Sequence, residues 1–147
     1  MTLVLPDCLE YFDKRQVCVA EENGKCYRLV NTSKVNIAKI KVDKCLPQKD
    51  NERRCDYLMK VDDKGIQRAI FIELKGTRLI DAVRQIQGTI DYLRKEFQDF
   101  QLDARIVGSG DVPRISNLPE YVRLGRIVHA TNGSLIRATN KIYIENI

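Results

Sequence analysis

Hydrophobic positions along this chain follow two periods, and the switches between them mark out its elements. Residues 7–14 (DCLEYFDK) predict a short helix. Gln16–Ala20 and Lys25–Val30 are β-prone, and Asn23-Gly24 between them is a hairpin signal, because the tight turn joining twisted strands needs two positive-φ residues. Val35–Val42 alternates with a change of phase before Ile40, which predicts a bulged strand. Lys44–Arg54 is polar, contains Pro47 and reads as a loop. Cys55–Val61 and Gln67–Lys75 read as strands joined by a turn at Asp62-Asp63-Lys64-Gly65. In the second of these, Ile70, Ile72 and Leu74 share one face, and Phe71, Glu73 and Lys75 share the other.

After Gly76-Thr77 the period changes. Leu79, Val83, Ile86, Ile90, Leu93 and Phe97 recur at three- and four-residue steps, an amphipathic helix reaching about Gln98 with Thr77 as N-cap and Asp81 in its first turn. Ala104–Val107 is a strand ended by Gly108-Ser109-Gly110-Asp111. Asn117–His129 is a second helix with Pro119 in its first turn, and Leu135–Arg137 and Lys141–Ile144 are closing strands. Strands, helix, strand, helix, strands: the order predicts one α/β domain over residues 1–147, with a mixed central sheet flanked by helices.

Composition leaves that picture intact. The chain has 147 residues, 44% hydrophobic and 31% charged, ordinary values for one folded domain and not for disorder. No apolar run is long enough to span a bilayer, and Met1–Glu10 lacks the pattern of a secretory signal, so a cytoplasmic protein with no membrane partner is expected. Five cysteines, at 8, 18, 26, 45 and 55, are odd in number and include no C-x-x-C. They are expected to be reduced, serving as small apolar fillers rather than zinc ligands. The formal net charge of +5 suits a phosphate-bearing partner, but only if a site for phosphate chemistry exists on other grounds.

Glu73 and Lys75 supply those grounds. They end an otherwise apolar strand two residues apart, on one side of the sheet, where unpaired buried charge would be costly. Asp56 lies on the preceding strand. A loop spanning Asp62 to Gln67 sets Asp56 opposite Glu73, whereas a tighter turn would shift the pairing by about two residues, and the sequence leaves the register open. In either case two carboxylates and one ammonium converge. Two oxygen ligands with open positions suit Mg²⁺ or Mn²⁺, which polarises a phosphate and activates a water. The Leu74 carbonyl is the natural third protein ligand.

Cys55-Asp56, then Glu73-Leu74-Lys75-Gly76 on the next strand and a helix directly after, resembles the PD-(D/E)xK nuclease superfamily. The resemblance spans roughly residues 35–107 in architecture and three residues in strict identity. It implies a restriction-endonuclease-like fold, Asp56 and Glu73 binding the metal, Lys75 assisting the attacking water, and a nucleic-acid substrate; DNA rests on the resemblance alone. Cys55 stands where the motif is named for proline. An upstream helical glutamate of many members has only Glu10 as a counterpart. The glutamine–tyrosine pair some members carry on the following helix is absent, although Gln85 alone can face the site.

Lys49, Arg53, Arg54 and Arg78 flank these residues and are the candidate contacts to backbone phosphates, with Arg114, Arg123, Arg126 and Arg137 extending the basic surface. Tyr57 and Tyr92 read first as packing residues. The lone histidine, His129, reads as a helix-end charge, and Gly108-Ser109-Gly110 as a plain turn. Cutting both strands of a duplex needs two sites, so a homodimer or membership of a larger complex is the expected assembly. The alternatives are a non-catalytic nucleic-acid-binding or interaction subunit of a defence or repair complex, and a structural protein in which Glu73 and Lys75 form an ordinary ion pair.

Overall fold

The computed structural model describes residues 6–74, 78–108 and 118–147. Nine strands and two helices are seen among them: β1 Leu9–Asp13, β2 Val17–Glu22, β3 Lys25–Val30, β4 Ile37–Lys41, β5 Tyr57–Asp63, β6 Ile66–Glu73, α1 Leu79–Leu93, β7 Gln101–Val107, α2 Pro119–His129, β8 Leu135–Ala138 and β9 Ile142–Asn146. Six strands form a central sheet in the order β1-β4-β5-β6-β7-β8, antiparallel up to β6 and parallel from β6 to β8. The other three form a small sheet, β2-β3-β9, with β9 parallel to β3. The architecture is mixed α/β. No helix among the described residues is long and apolar enough to cross a membrane.

The central sheet is covered on both faces, and its strands show why. Alternate residues enter two separate cores. Leu58, Ala69, Phe71, Ala104 and Ile106 pack with Val83, Ile86 and Ile90 of α1 and with Leu124 and Val128 of α2. Tyr57, Met59, Val61, Ile70, Ile72, Leu74 and Val107 pack with Cys18, Ala20, Tyr27 and Leu29 of the small sheet. The phase change in residues 35–42 has the same origin. Ile37 faces the small sheet while Ile40 and Val42 face the helices, so β4 is regular, and the irregular register lies in its partner β1 between Leu9 and Tyr11.

Local chemistry sets both tight hairpins. Asn23 and Gly24 have φ of 55° and 74°, and Lys64 and Gly65 have 51° and 84°, the left-handed pair that such two-residue turns require. The second turn is tighter than the six-residue loop considered from sequence, yet pairing simply continues through Asp63↔Ile66 and the same register holds, with Val61 opposite Arg68 and Tyr57 opposite Ile72.

Three local expectations are corrected. Residues 7–14 form a single 3-10 turn (Pro6–Cys8) and then an edge strand, because pairing with β4 overrides a weak helical preference. α1 ends at Leu93 rather than near Gln98. The chain then tightens into turns that still bring Phe97 and Phe100 into the core, edge-to-face at 4.8 Å. The cysteines are not all reduced: Cys8 is disulfide-bonded to Cys45, while Cys18, Cys26 and Cys55 are buried free thiols, as the filler reading expects. The N-cap expected at Thr77 lies outside the described residues; Arg78 occupies the cap position, with no side-chain capping bond.

Candidate active site

Asp56 is the residue just before β5, and three neighbouring segments hold it. Its N–H donates to Ile72 O at 3.1 Å, and its C=O accepts the amides of Val42 and Asp43 at 3.0 and 3.5 Å. Its carboxylate Oδ2 accepts the Leu74 N–H at 2.7 Å. The strand register therefore brings Asp56 to the level of Ile72–Glu73, and the Leu74 amide fixes which way its carboxylate turns. Glu73 closes β6 on the helix-facing row of Ala69 and Phe71. Glu73 is fully buried and Asp56 is only 4% exposed. Leu74, the third member of the expected ligand set, is buried directly beside them. Lys75 lies outside the described residues.

The immediate electrostatics around Asp56 are acidic. Burial pushes its carboxyl up to about 6; the Leu74 N–H opposes this, while Glu22 and Asp43 reinforce it. Glu22, the last residue of β2, comes from the small sheet close enough to raise the Asp56 carboxyl, and Glu22 Oε2 is buried with no hydrogen-bond partner. Sequence reading missed Glu22 and Asp43. Glu22 could have been suspected from its place beside the Asn23-Gly24 turn, but no spacing rule links β2 to β5. Among the described residues no group of three or more His, Cys, Asp or Glu side chains is arranged to hold a metal ion. The set expected here is smaller, two carboxylates and a backbone carbonyl.

Helix α1 is pinned to this site from the other side. Thr89 Oγ1 accepts the Cys55 N–H at 2.8 Å and donates to Gln85 O at 2.9 Å. Gly88 makes that approach possible: a Cβ there would lie 2.5 Å from Arg53 O. Gln85, one turn nearer the start of α1, has its side-chain Oε1 buried with no hydrogen-bond partner. The Cys55 thiol is pushed up strongly by burial, with Glu73 and Asp56 nearby adding to the effect, so it stays protonated and inert.

The remaining sequence candidates divide sharply. Glu10 is on a strand rather than a helix, and its carboxylate pairs with Lys39 at 2.9 Å, which separates it from an upstream helical glutamate. Arg54 is buried to 2% exposure. Its guanidinium donates to Arg53 O, Pro47 O and Glu52 and stacks on Tyr92 at 4.1 Å, so it braces the loop instead of facing a phosphate. Arg53 and Arg78 are exposed and share Asp81, at 3.9 and 3.6 Å. Lys49 is exposed on the loop. Arg123 joins Arg53 and Arg84 in lining a groove of about 280 Å³, where Asp91 and Glu120 offset part of the charge. Arg114 lies outside the described residues. Tyr57 is buried, with Lys39 and Lys41 over its ring at 4.6 and 5.1 Å.

Compared with known protein families, with curated proteins and with solved structures, the chain finds no match.

Proposed function

We propose that the protein is a Mg²⁺- or Mn²⁺-dependent phosphodiesterase acting on nucleic acid, of the PD-(D/E)xK type, with DNA as the substrate to test first. The carrying observation is the Asp56–Glu73 pair: two buried carboxylates at the adjoining ends of β5 and β6, one of them oriented by the Leu74 amide. The sheet order supports the same reading. β5 and β6 pair antiparallel and α1 follows, the strand–strand–helix order on which the resemblance rests.

The donor set fits a hard divalent cation. Asp56 has Glu22 and Asp43 as acidic company, and a cation there would offset charge that burial otherwise suppresses by protonation. Carboxylate and carbonyl oxygens are the ligands Mg²⁺ prefers, and it commonly uses one or two carboxylates while keeping several waters. When bound, the metal would supply Lewis-acid polarisation of the phosphate and a more acidic water. Asp56 and Glu73 would hold the ion, with the Leu74 carbonyl between them in sequence. Lys75, next along the chain, would orient the attacking water and offset charge gathering on the phosphate. Exposed Arg53 and Arg78 would take neighbouring phosphates.

The test is cleavage of labelled single- and double-stranded DNA, single-stranded RNA and branched DNA, with Mg²⁺, Mn²⁺ or EDTA. Wild type, Lys75→Ala and Asp56→Asn are purified identically. Metal-dependent cutting lost in both variants supports the proposal and names the substrate class. Equal cutting by all three is contamination. Absence of cutting by wild type, with no metal-induced gain in thermal stability, overturns it in favour of a binding or structural subunit.

A further inference from the structure

We propose that the Cys8–Cys45 disulfide is a thiol-responsive latch that holds edge strand β1 on the central sheet. This inference stands independently of the nuclease reading. Among the described residues β1 pairs with one neighbour only, β4, and its register slips between Leu9 and Tyr11. Phe12 is 60% exposed, and Leu9 and Tyr11 are only partly buried. Its side-chain ties include the Glu10–Lys39 pair, a local Asp13–Arg15 pair at its exposed end, Arg15 stacked on the Tyr11 ring at 3.3 Å, and the packing of Leu9 and Tyr11 at the margins of the two cores. A strand with so little burial opens easily unless something fastens it. The disulfide does this, joining the residue immediately before β1 to a turn in which the Cys45 and Leu46 amides both bond Val42 O.

The chemistry of release follows from accessibility. Cys8 is buried and Cys45 is half-buried, so an incoming low-molecular-weight thiolate meets the Cys45 sulfur first. A bond forms between the reagent sulfur and Cys45 Sγ, the Cys8–Cys45 bond breaks, and Cys8 leaves as a thiolate that takes up a proton. A second reagent thiol then attacks the mixed disulfide and frees Cys45. The balance is one protein disulfide and two reagent thiols giving two protein thiols and one reagent disulfide. A glutathione-type disulfide reverses both steps. The other cysteines stay out of the exchange: Cys18, Cys26 and Cys55 are buried, and burial pushes the thiols of Cys18 and Cys55 up, away from the reactive thiolate.

The same turn contributes the Val42 and Asp43 amides that grip the Asp56 carbonyl. It also keeps Leu46 in the helix-side core, so reduction frees β1 while the turn remains seated.

The experiment equilibrates the full chain with oxidised glutathione or with dithiothreitol under native conditions, then alkylates it in denaturant and weighs it. Oxidised protein should take up three alkyl groups and reduced protein all five. Hydrogen exchange run alongside should show amides of residues 9–13 exchanging roughly tenfold faster or more after reduction, with β5 and β6 unchanged. Cys8→Ser/Cys45→Ser should reproduce the fast exchange without reductant; if that variant does not fold, reduction of the wild type in place still decides. Five alkylations after oxidised glutathione, or exchange in 9–13 that ignores reduction, would overturn the latch.

Discussion

Among the described residues, buried and half-buried carboxylates gather in two places, and the two are treated differently. Between the sheets, Asp103 on β7 accepts Arg68 Nε at 3.0 Å, Gln101 Nε2 at 3.1 Å and the Ser134 amide at 2.9 Å. Glu145 on β9 accepts Arg105 Nε at 2.9 Å and the Tyr27 hydroxyl, and Arg105 also donates to the carbonyls of Ala104 and Ser134. Acid there is matched by arginine and amide, and the result ties β3, β7 and β9 together. At Asp56 the described charges acting on the carboxylate are Glu22 and Asp43, and with burial they raise it to about 6. Under the proposed function, that acidic company would be offset by the bound cation.

Breaking the matched network should have the largest effect. Arg105→Met leaves Glu145 without its buried cation and should lower unfolding free energy by about 3–5 kcal/mol, read by chemical denaturation. Asp56→Asn should do the opposite kind of damage. The amide mimics the protonated carboxyl and its oxygen can still accept the Leu74 N–H, so stability at pH 4 should hold within about 1 kcal/mol, while metal-dependent turnover falls by about 100-fold or more.

The pH dependence sharpens the contrast. Asp56 binds its proton more tightly folded, at about 6, than unfolded, near the usual 3.8. Its contribution is therefore fully present below about pH 4 and is lost as pH rises through about 6, a total of about 2–3 kcal/mol. Melting in EDTA between pH 4 and 7 should show this fall, Asp56→Asn should remove it, and Mg²⁺ or Mn²⁺ should offset it at the upper end by binding the ionised form. An effect smaller than that of Arg105→Met is expected at the helix contact. Thr89→Val leaves the buried Cys55 N–H without an acceptor and should cost about 1–3 kcal/mol. A loss of turnover beyond that destabilisation would show that α1 helps to set the Asp56 geometry.

What sequence could and could not reveal follows the range of each interaction. Asn23-Gly24 and Lys64-Gly65 announce their hairpins because a tight turn is decided by the two residues in it. The strand ending in Glu73 is legible from its own alternation, but the turn alone leaves the pairing of the two strands open by about two residues, and the structure supplies the register that sets Asp56 level with Glu73. β1 was misread as a helix because its identity comes from β4, and the phase change before Ile40 was misread as a bulge because both faces of β4 are buried. Arg54 carries no local sign of its burial under Tyr92. Glu22 meets Asp56 only because the small sheet lies over the central one, and which two of five cysteines join is likewise a fact of space rather than spacing.

The parallel seam between β3 and β9 carries a consequence for biosynthesis. It joins Cys26 to Ile142, across most of the length of the chain, whereas the meander β4-β5-β6 is built from near neighbours. On the ribosome, the strands bearing Asp56 and Glu73 therefore emerge well before the layer that covers Ile70, Ile72 and Leu74 can be completed. Until then, that layer is a two-stranded ribbon, a structure only marginally stable by itself in water. The nascent protein thus passes through a stage with its central sheet half clothed, when a chaperone gripping aliphatic strands has most to offer and premature release carries the greatest risk of aggregation.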